Sequence, residues 1–230
     1  MQGQVQLKPY INDQQFSVDE LPLLTVRATL PFWEGKGGRR FNRYYRTYSS
    51  AFVQYCRAEL FPQAQELYRQ ALQNASALPQ WEAALDTQIT CQTPTLISLY
   101  TTGTESSGAR RCLLRRGDTW DLRSGFPTTL RDFFPRRSGV RRRLLEFAAG
   151  QIQQEEQQQI SRYHPDWPTR LNRAFNPHSF YLTERGLCFF YQMYAIAPAA
   201  EGIPTFCLPY DMERGPFPPA HFSPPPPQEP

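Results

Sequence analysis

The stretch that decides the fold is residues 180–210, FYLTERGLCFFYQMYAIAPAAEGIPTFCLPY. It begins with aromatic and β-branched residues, reaches the polar turn Glu184-Arg185-Gly186, and returns as an apolar run from 187 to 191. Two such runs around a polar turn that contains glycine are typical of a β-hairpin. Strand-like residues resume at 205–210, so the end of a β-sheet is predicted here.

Outward from this stretch, strands are predicted at residues 23–30, 81–91, 95–102, 109–114 and 119–122. Helical spacing begins near Arg39, is interrupted at Pro62 and continues over 63–74. Thr128 or Thr129 is expected to cap a short helix or turn, and Ser138 a longer helix that ends near Arg162. Short turns between the middle strands predict an antiparallel meander. The predicted fold class is α+β, with an antiparallel β-sheet packed against two or more helices in a single domain.

Three segments are predicted along the chain. Residues 1–20 are polar and lack a clear period, which favours a loosely ordered leader. Residues 21–212 hold the predicted elements and form the α+β domain. Residues 213–230 are rich in proline and end in FSPPPPQEP, which predicts a disordered or polyproline II tail.

Aromatic residues recur at three- and four-residue steps in the first helix, at Phe41, Tyr44, Tyr45, Tyr48 and Phe52. Arginines lie between them, so the helix could form a stacking platform for single-stranded nucleic acid. An aromatic stripe at helical spacing is more often a core face, and we favour packing against a sheet.

An arginine cluster marks the start of the helix predicted from Ser138. Positive side chains near a helix start oppose the helix dipole and gain nothing from the helix itself. A solvated face is the simplest explanation, and an acidic partner is the functional one. The candidate partner-binding residues are therefore Arg136, Arg137, Arg141, Arg142 and Arg143.

The cysteines and histidines indicate no recognisable catalytic or metal chemistry. Five cysteines form an odd set without C-x-x-C spacing, so buried thiols in a reducing compartment are favoured over disulfides. His164 near Asp166 could form an orienting pair, and Asp118 with Asp121 could supply paired carboxylates. Solvated or capping roles are favoured for these groups. The prediction is no catalytic residue, no metal and no cofactor.

Three segments together resemble one family: LYTTGTESSGA (99–109), WDLRSGFPTTLRDFF (120–134) and the stretch 180–210. They resemble the domain shared by the extracytoplasmic part of RsiV-type anti-sigma factors and the N-terminal region of PdaC-type peptidoglycan deacetylases. Residues 194–202, YAIAPAAEG, keep most of that family's Y-x-I-A-P-Y-A-x-G segment, but Ala199 replaces its second tyrosine. The loop at 102–109 also lacks the histidine that the family often has there.

The resemblance implies an α+β domain with a binding or sensor role, such as lysozyme binding in RsiV-type proteins. We therefore expect a non-catalytic domain whose partner is a protein or a cell-wall-related ligand. Two alternatives stay open: a small hydrolase-like enzyme, and an arginine-dependent nucleic-acid binder, although nucleic acid is the less favoured partner.

Apolar runs and N-terminal signal patterns in the sequence predict the compartment. The sequence has no long apolar run and no signal-peptide pattern at its N-terminus. A cytoplasmic location is expected for the chain as written, and an extracytoplasmic one if an anchor belongs to a longer protein.

Overall fold

The computed structural model describes residues 6–35, 37–78, 80–107 and 110–219. These residues fall into two compact units. The N-terminal unit holds 6–87 and 101–113, and the C-terminal unit holds 88–100 and 114–219, in each case as far as the residues are described. The mixture of helices and largely antiparallel strands confirms the α+β class.

Seven strands form the larger sheet: β1 (Gln6–Ile11), β2 (Gln14–Val18), β3 (Leu21–Glu34), β4 (Trp81–Gln92), β5 (Leu96–Ser107), β6 (Arg110–Asp121) and β7 (Phe126–Pro127). Their order is β1-β3-β4-β5-β6-β7, with β2 paired to β3. Strands β1 and β2 pair antiparallel with β3, whereas β3 and β4 run parallel, which the predicted antiparallel sheet did not include.

Residues 6–18 differ from the loosely ordered leader that the sequence predicts. They form β1 and β2, which pair with the two halves of the 14-residue strand β3. β3 also passes through Pro31, where the sequence pattern predicted its end. Its pairing with β4 stops at Thr29, so Pro31 needs no N–H donor on that side of the strand.

The helices of the N-terminal unit are α1 (Arg39–Tyr55) and α2 (Phe61–Gln73), joined by a π-helical turn at Cys56–Leu60. The predicted core face of α1 is confirmed at Phe41 and Tyr45, each 1% exposed. The Phe41 ring lies 4.7 Å from the Tyr45 ring and 6.1 Å from the Trp33 ring, measured between centroids. Pro62 lies in the first turn of α2, where a missing N–H costs nothing.

The C-terminal unit contains α3 (Val140–Gln157) and α4 (Trp167–Arg173), with a 3-10 turn at Leu130–Phe133. Its three-stranded sheet has the order β10-β9-β8 and confirms the predicted hairpin and following strand. These strands are β8 (Phe180–Leu182), β9 (Gly186–Phe190) and β10 (Thr205–Pro209). One face of the sheet joins the helices in a core that includes Leu144, Ile152, Leu182, Leu187, Phe189 and Phe206.

Two local predictions near α3 have opposite outcomes. Thr129 caps the 3-10 turn, and the Asp132 carboxylate accepts from the Thr129 N–H at 2.6 Å in a capping box. Ser138 does not cap α3, which begins after Gly139, because its hydroxyl donates instead to the Pro135 carbonyl at 2.8 Å. The helix ends at Gln157, and Gln159 has a left-handed φ of 55°, so it does not reach Arg162.

One strand, β6 (Arg110–Asp121), lies where two strands, at 109–114 and 119–122, and a turn between them were predicted. Gly117 lies in its interior at a close approach to the backbone of Phe180, and any Cβ there would overlap the Phe180 carbonyl oxygen. A glycine in a strand interior serves such contacts as well as turns. The glycine that indicated a turn in the sequence is therefore required by a tertiary contact within the strand.

Part of the proline-rich tail is ordered. Gly215, Pro216 and Pro219 are described, with Gly215 and Pro216 buried, and Phe217 N–H donates to the Phe133 carbonyl at 2.7 Å. Residues 220–230, the rest of the predicted tail, lie outside the described residues. Within the described part of the chain, no helix has the length and apolar character needed to span a bilayer.

Candidate partner-binding site

The arginines predicted to bind a partner fall into three groups. Arg141 and Arg142 line a cavity at the start of α3. Arg143 faces away from it, into contacts with residues 211 and 214. Arg136 and Arg137 are exposed on the preceding turn and are not among the residues that line this cavity. The structure thus brings together two of the five predicted residues.

The arginine cavity has a volume of about 360 Å³. Its polar lining consists of three arginines with Ser138 and Gly139, and its apolar lining comes from four side chains of the 3-10 turn, α3 and the segment after α4. No acidic residue lies among its described lining residues. The three arginines are Arg131, Arg141 and Arg142, and the apolar residues are Leu130, Val140, Phe175 and Pro177.

Arg141 is held in place beside the cavity. Its guanidinium donates to the Asn172 carbonyl at 2.8 Å and lies 5.7 Å from the centroid of the Phe175 ring. A carbonyl bond and a cation–π contact leave most of the five guanidinium N–H donors for a ligand. Arg141 therefore presents a fixed cation at the edge of an apolar surface.

Arg142 is held only weakly. Its Nε lies 3.7 Å from a carboxylate oxygen of Glu146, and the two side chains are 83% and 69% exposed. An exposed pair of this kind contributes about 0.3–0.5 kcal/mol. Arg142 can exchange this partner for a ligand anion at little cost.

The start of α3 adds to the positive potential of the cavity. The helix has no acidic residue in its first turn and no side-chain cap from any described residue. The unpaired N–H groups of a helix start carry partial positive charge. Together with the three arginines, this end of α3 is suited to an anion.

The other candidate chemistry is not assembled. The Asp166 carboxylate accepts from Arg170 Nε at 2.7 Å, and hydrogen bonding by Arg170 lowers the pKa of Asp166. Asp118 lies 3.3 Å from Arg116. His178 is exposed, and His221 lies outside the described residues. Over the described ranges, no three His, Cys, Asp or Glu side chains converge as a metal site would require.

The cysteines give a correction. Cys188 and Cys207, register partners in β9 and β10, form a disulfide, whereas free thiols were predicted. Cys56 and Cys91 are buried thiols and Cys112 is exposed. The odd number of cysteines did not exclude a disulfide, because one pair is bonded and three cysteines are free. Placing both cysteines in the predicted neighbouring strands would have indicated the bond.

Arg131 and Phe175 are two functional lining residues that the sequence did not predict. Arg131 lies in the capped 3-10 turn, and Phe175 follows α4, about 35 residues beyond the start of α3. Tertiary packing brings these two residues to the same cavity as Arg141 and Arg142. The one available signal was Arg131 beside a predicted turn, close in sequence to Arg136 and Arg137.

The region of the arginine cavity matches a known family model. Residues 131–211 match the family model described as a protein of unknown function, DUF3298. That segment includes the disulfide and every described lining residue of the arginine cavity except Leu130. No curated protein is significantly similar in sequence.

Two crystal structures resemble the chain over most of its length. A DUF3298 family member from Bacteroides fragilis NCTC 9343 has a TM-score of 0.65 at 16% identity, covering 91% of this chain and 92% of its own. A DUF3298 family protein from Pseudomonas aeruginosa PAO1 has a TM-score of 0.58 at 17% identity, covering 90% of this chain and 92% of its own. At these identities the likeness shows a shared fold.

Proposed function

We propose that this chain is a non-catalytic binding module of the DUF3298 type, which takes an anionic group of a protein or cell-wall ligand into the arginine cavity. The observation that carries the proposal is a cavity of about 360 Å³ with three arginines and no acidic residue among its described lining residues. Nothing in the proposal requires a reaction at the site.

The ligand group that best fits is a carboxylate attached to an apolar portion. The planar guanidinium of arginine matches a carboxylate through two parallel N–H donors, whereas the apolar lining residues offer contact area to hydrocarbon. Arg141 is already oriented by Asn172 and Phe175, so little side-chain entropy is lost when a ligand binds. Peptidoglycan stem peptides have this chemistry, since they combine carboxylates with alanine methyl groups.

The family relation and the disulfide support an extracytoplasmic role. The sequence resembles the extracytoplasmic domain of RsiV-type anti-sigma factors, and the DUF3298 match covers the site. Structural disulfides such as Cys188–Cys207 form and persist mainly in oxidising compartments. The finer form of the proposal is that the module senses a wall-related ligand or lysozyme, as the resemblance implies.

Calorimetric titration tests the proposal, with a purified disaccharide–pentapeptide fragment of peptidoglycan as the probe and hen lysozyme as a second ligand. Arg141→Ala and Arg131→Ala are each expected to weaken binding of the fragment about tenfold or more, because each removes a charge-assisted contact of about 1.5–3 kcal/mol.

Arg69→Ala is the matched control. Arg69 is an exposed arginine on α2 that pairs with Glu66 at 2.8 Å, and its alanine variant should bind the fragment as the unaltered chain does. Equal affinity of all three variants, or no binding of the fragment, would reject the cavity as the site. Binding of lysozyme alone, unaffected by the cavity variants, would place the sensor surface elsewhere.

A further inference from the structure

The disulfide joins an edge strand to its single neighbour. β10 lies at the edge of the three-stranded sheet and pairs only with β9 among the described strands. Pro209, its last residue, has no N–H to donate. Cys188 is 1% exposed, whereas Cys207 is exposed to solvent. The bond therefore reinforces a short strand that has one ladder of hydrogen bonds, and one of its cysteines is accessible.

The segment that follows β10, residues 210–217, is here named the clasp. It is closed by Asp211, whose carboxylate accepts the backbone N–H groups of Glu213 and Arg214 at 2.9 Å each. The Gly215 N–H donates to the Asp211 carbonyl at 2.8 Å. These bonds make the clasp a compact turn, and it follows β10 directly in the chain.

The clasp connects two walls of the arginine cavity. On one side, Arg143 of α3 lies 3.2 Å from the Asp211 carboxylate and also donates to the Arg214 carbonyl. On the other side, the Phe217 N–H donates to the carbonyl of Phe133 at 2.7 Å, at the end of the 3-10 turn. The first wall carries Arg141 and Arg142, and the second carries Arg131.

We infer that the Cys188–Cys207 disulfide is a redox-sensitive tether, which through the clasp holds the two walls of the arginine cavity in their binding geometry. Reduction frees β10 to fray from β9, the clasp loosens, and the distance between Arg131 and Arg141 is no longer fixed. The effect on ligand affinity rests on the proposed function, whereas the loosening of the clasp does not.

The chemistry is thiol–disulfide exchange with an external dithiol. A thiolate of the dithiol attacks the sulfur of the exposed Cys207, and Cys188 leaves as a thiolate and takes up a proton. The second thiol of the reagent then closes an intramolecular disulfide and releases Cys207 as a thiol. One dithiol is oxidised for each protein disulfide that is reduced.

Amide hydrogen exchange of the full chain, before and after reduction by dithiothreitol, tests the tether. The expected result is that Phe217 and Gly215 exchange at least about tenfold faster after reduction, because their bonds depend on the clasp. Thr93, whose N–H donates to the Leu96 carbonyl at 2.8 Å, is the reference and should keep its rate.

Two variants separate the disulfide from the other thiols. Cys188→Ser combined with Cys207→Ser should reproduce the reduced state without reductant, and Cys112→Ser should leave exchange unchanged because Cys112 is an exposed free thiol. If the double variant fails to fold, reduction of the unaltered chain remains the test. Unchanged exchange at Phe217, or equal acceleration at Phe217 and Thr93, would overturn the tether.

The same samples test the link to binding. Affinity for the peptidoglycan fragment should fall about tenfold or more on reduction. A loosened clasp with unchanged affinity would overturn the link to the cavity. If the oxidised chain binds no fragment but the clasp still loosens, the proposed function fails and the tether stands.

Discussion

In each unit, one side-chain amide makes hydrogen bonds to the unpaired edge of a strand. Among the described residues, only the C-terminal unit adds a covalent bond. In the N-terminal unit, Asn42 accepts from the Trp33 N–H at 2.8 Å and donates to its carbonyl at 2.9 Å. In the C-terminal unit, Gln192 makes the same pair of bonds to Arg115, at 2.9 and 2.6 Å. An amide side chain thus substitutes for a missing strand in both units.

The cysteines distinguish the units. In the N-terminal unit, burial raises the pKa of the Cys56 thiol to about 12, with Glu105 adding to the effect, and Cys112 is a free exposed thiol. The C-terminal unit contains the disulfide, and burial raises the pKa of Cys91 to about 11. We attribute the additional cross-link of the C-terminal unit to the clasp and the cavity.

The largest expected effect comes from glycines at close backbone approaches. Gly117→Ala in the C-terminal unit should lower the free energy of unfolding by about 3 kcal/mol or more, because the Cβ overlaps the Phe180 carbonyl. Gly38→Ala in the N-terminal unit, with a Cβ 2.7 Å from the Trp33 carbonyl, should cost less. Urea unfolding followed by circular dichroism measures both.

Gly150→Ala is the control for these glycines. Gly150 lies within α3 and has open space where a Cβ would stand, so alanine there should stabilise the protein by up to about 1 kcal/mol. If Gly117→Ala behaved like Gly150→Ala, β6 would not approach β8 as described.

The amide clamps should have intermediate and similar effects. Asn42→Leu and Gln192→Leu each leave a backbone N–H and a carbonyl without a partner, which should cost about 1–3 kcal/mol of unfolding free energy. Gln63→Leu, which removes one exposed bond to the Glu59 carbonyl, should change it by about 0.5 kcal/mol or less. A large loss in one unit only would break the parallel between the units.

The clasp should show a pH dependence at Asp211. Hydrogen bonds from the backbone N–H groups of Arg214 and Glu213, aided by Arg143, lower the pKa of this carboxyl. Its contribution to stability is therefore full above the unfolded value of about 3.9 and is lost as pH falls through the folded pKa. Carbon-13 NMR titration should give a midpoint below about 3.9, and Arg143→Met should raise it. A midpoint at the unfolded value would show that the clasp is open.

Counting the free thiols tests the disulfide of the C-terminal unit, and this measurement involves no change in stability. Of five cysteines, three should react with an aromatic disulfide reagent after unfolding without reductant. In the folded chain Cys112 should react first, because Cys56 and Cys91 are buried. Five reactive thiols in the unfolded, unreduced chain would exclude the disulfide.

Local patterns predicted much of the fold. The hairpin from Phe180 and strand β10 were predictable because turn, period and composition agree over a few residues. The same holds for the Thr129 cap and the buried face of α1. The contiguous arginine cluster also included Arg141 and Arg142 among its candidate residues, and both line the arginine cavity.

The wrong predictions depend on distant contacts. Gly117 indicated a turn in the sequence, but it lies within a strand where the backbone of Phe180 comes close. Pro31 indicated a strand end, but it lies within β3 beyond the residues that pair with β4. Arg131 and Phe175 line one cavity with Arg141 through the tertiary packing of the C-terminal unit. Counting cysteines could not reveal a pair in β9 and β10, since it ignored which strands were neighbours.

The central claim is that Arg141 binds an anionic group of the ligand, and a double-mutant cycle by calorimetry tests it most directly. One arm compares the unaltered chain with Arg141→Ala, and the other compares the peptidoglycan fragment with the same fragment amidated at its carboxylates. The claim predicts a coupling energy of at least about 1.5 kcal/mol between arginine and carboxylate. Additive effects, with a coupling energy near zero, would contradict it.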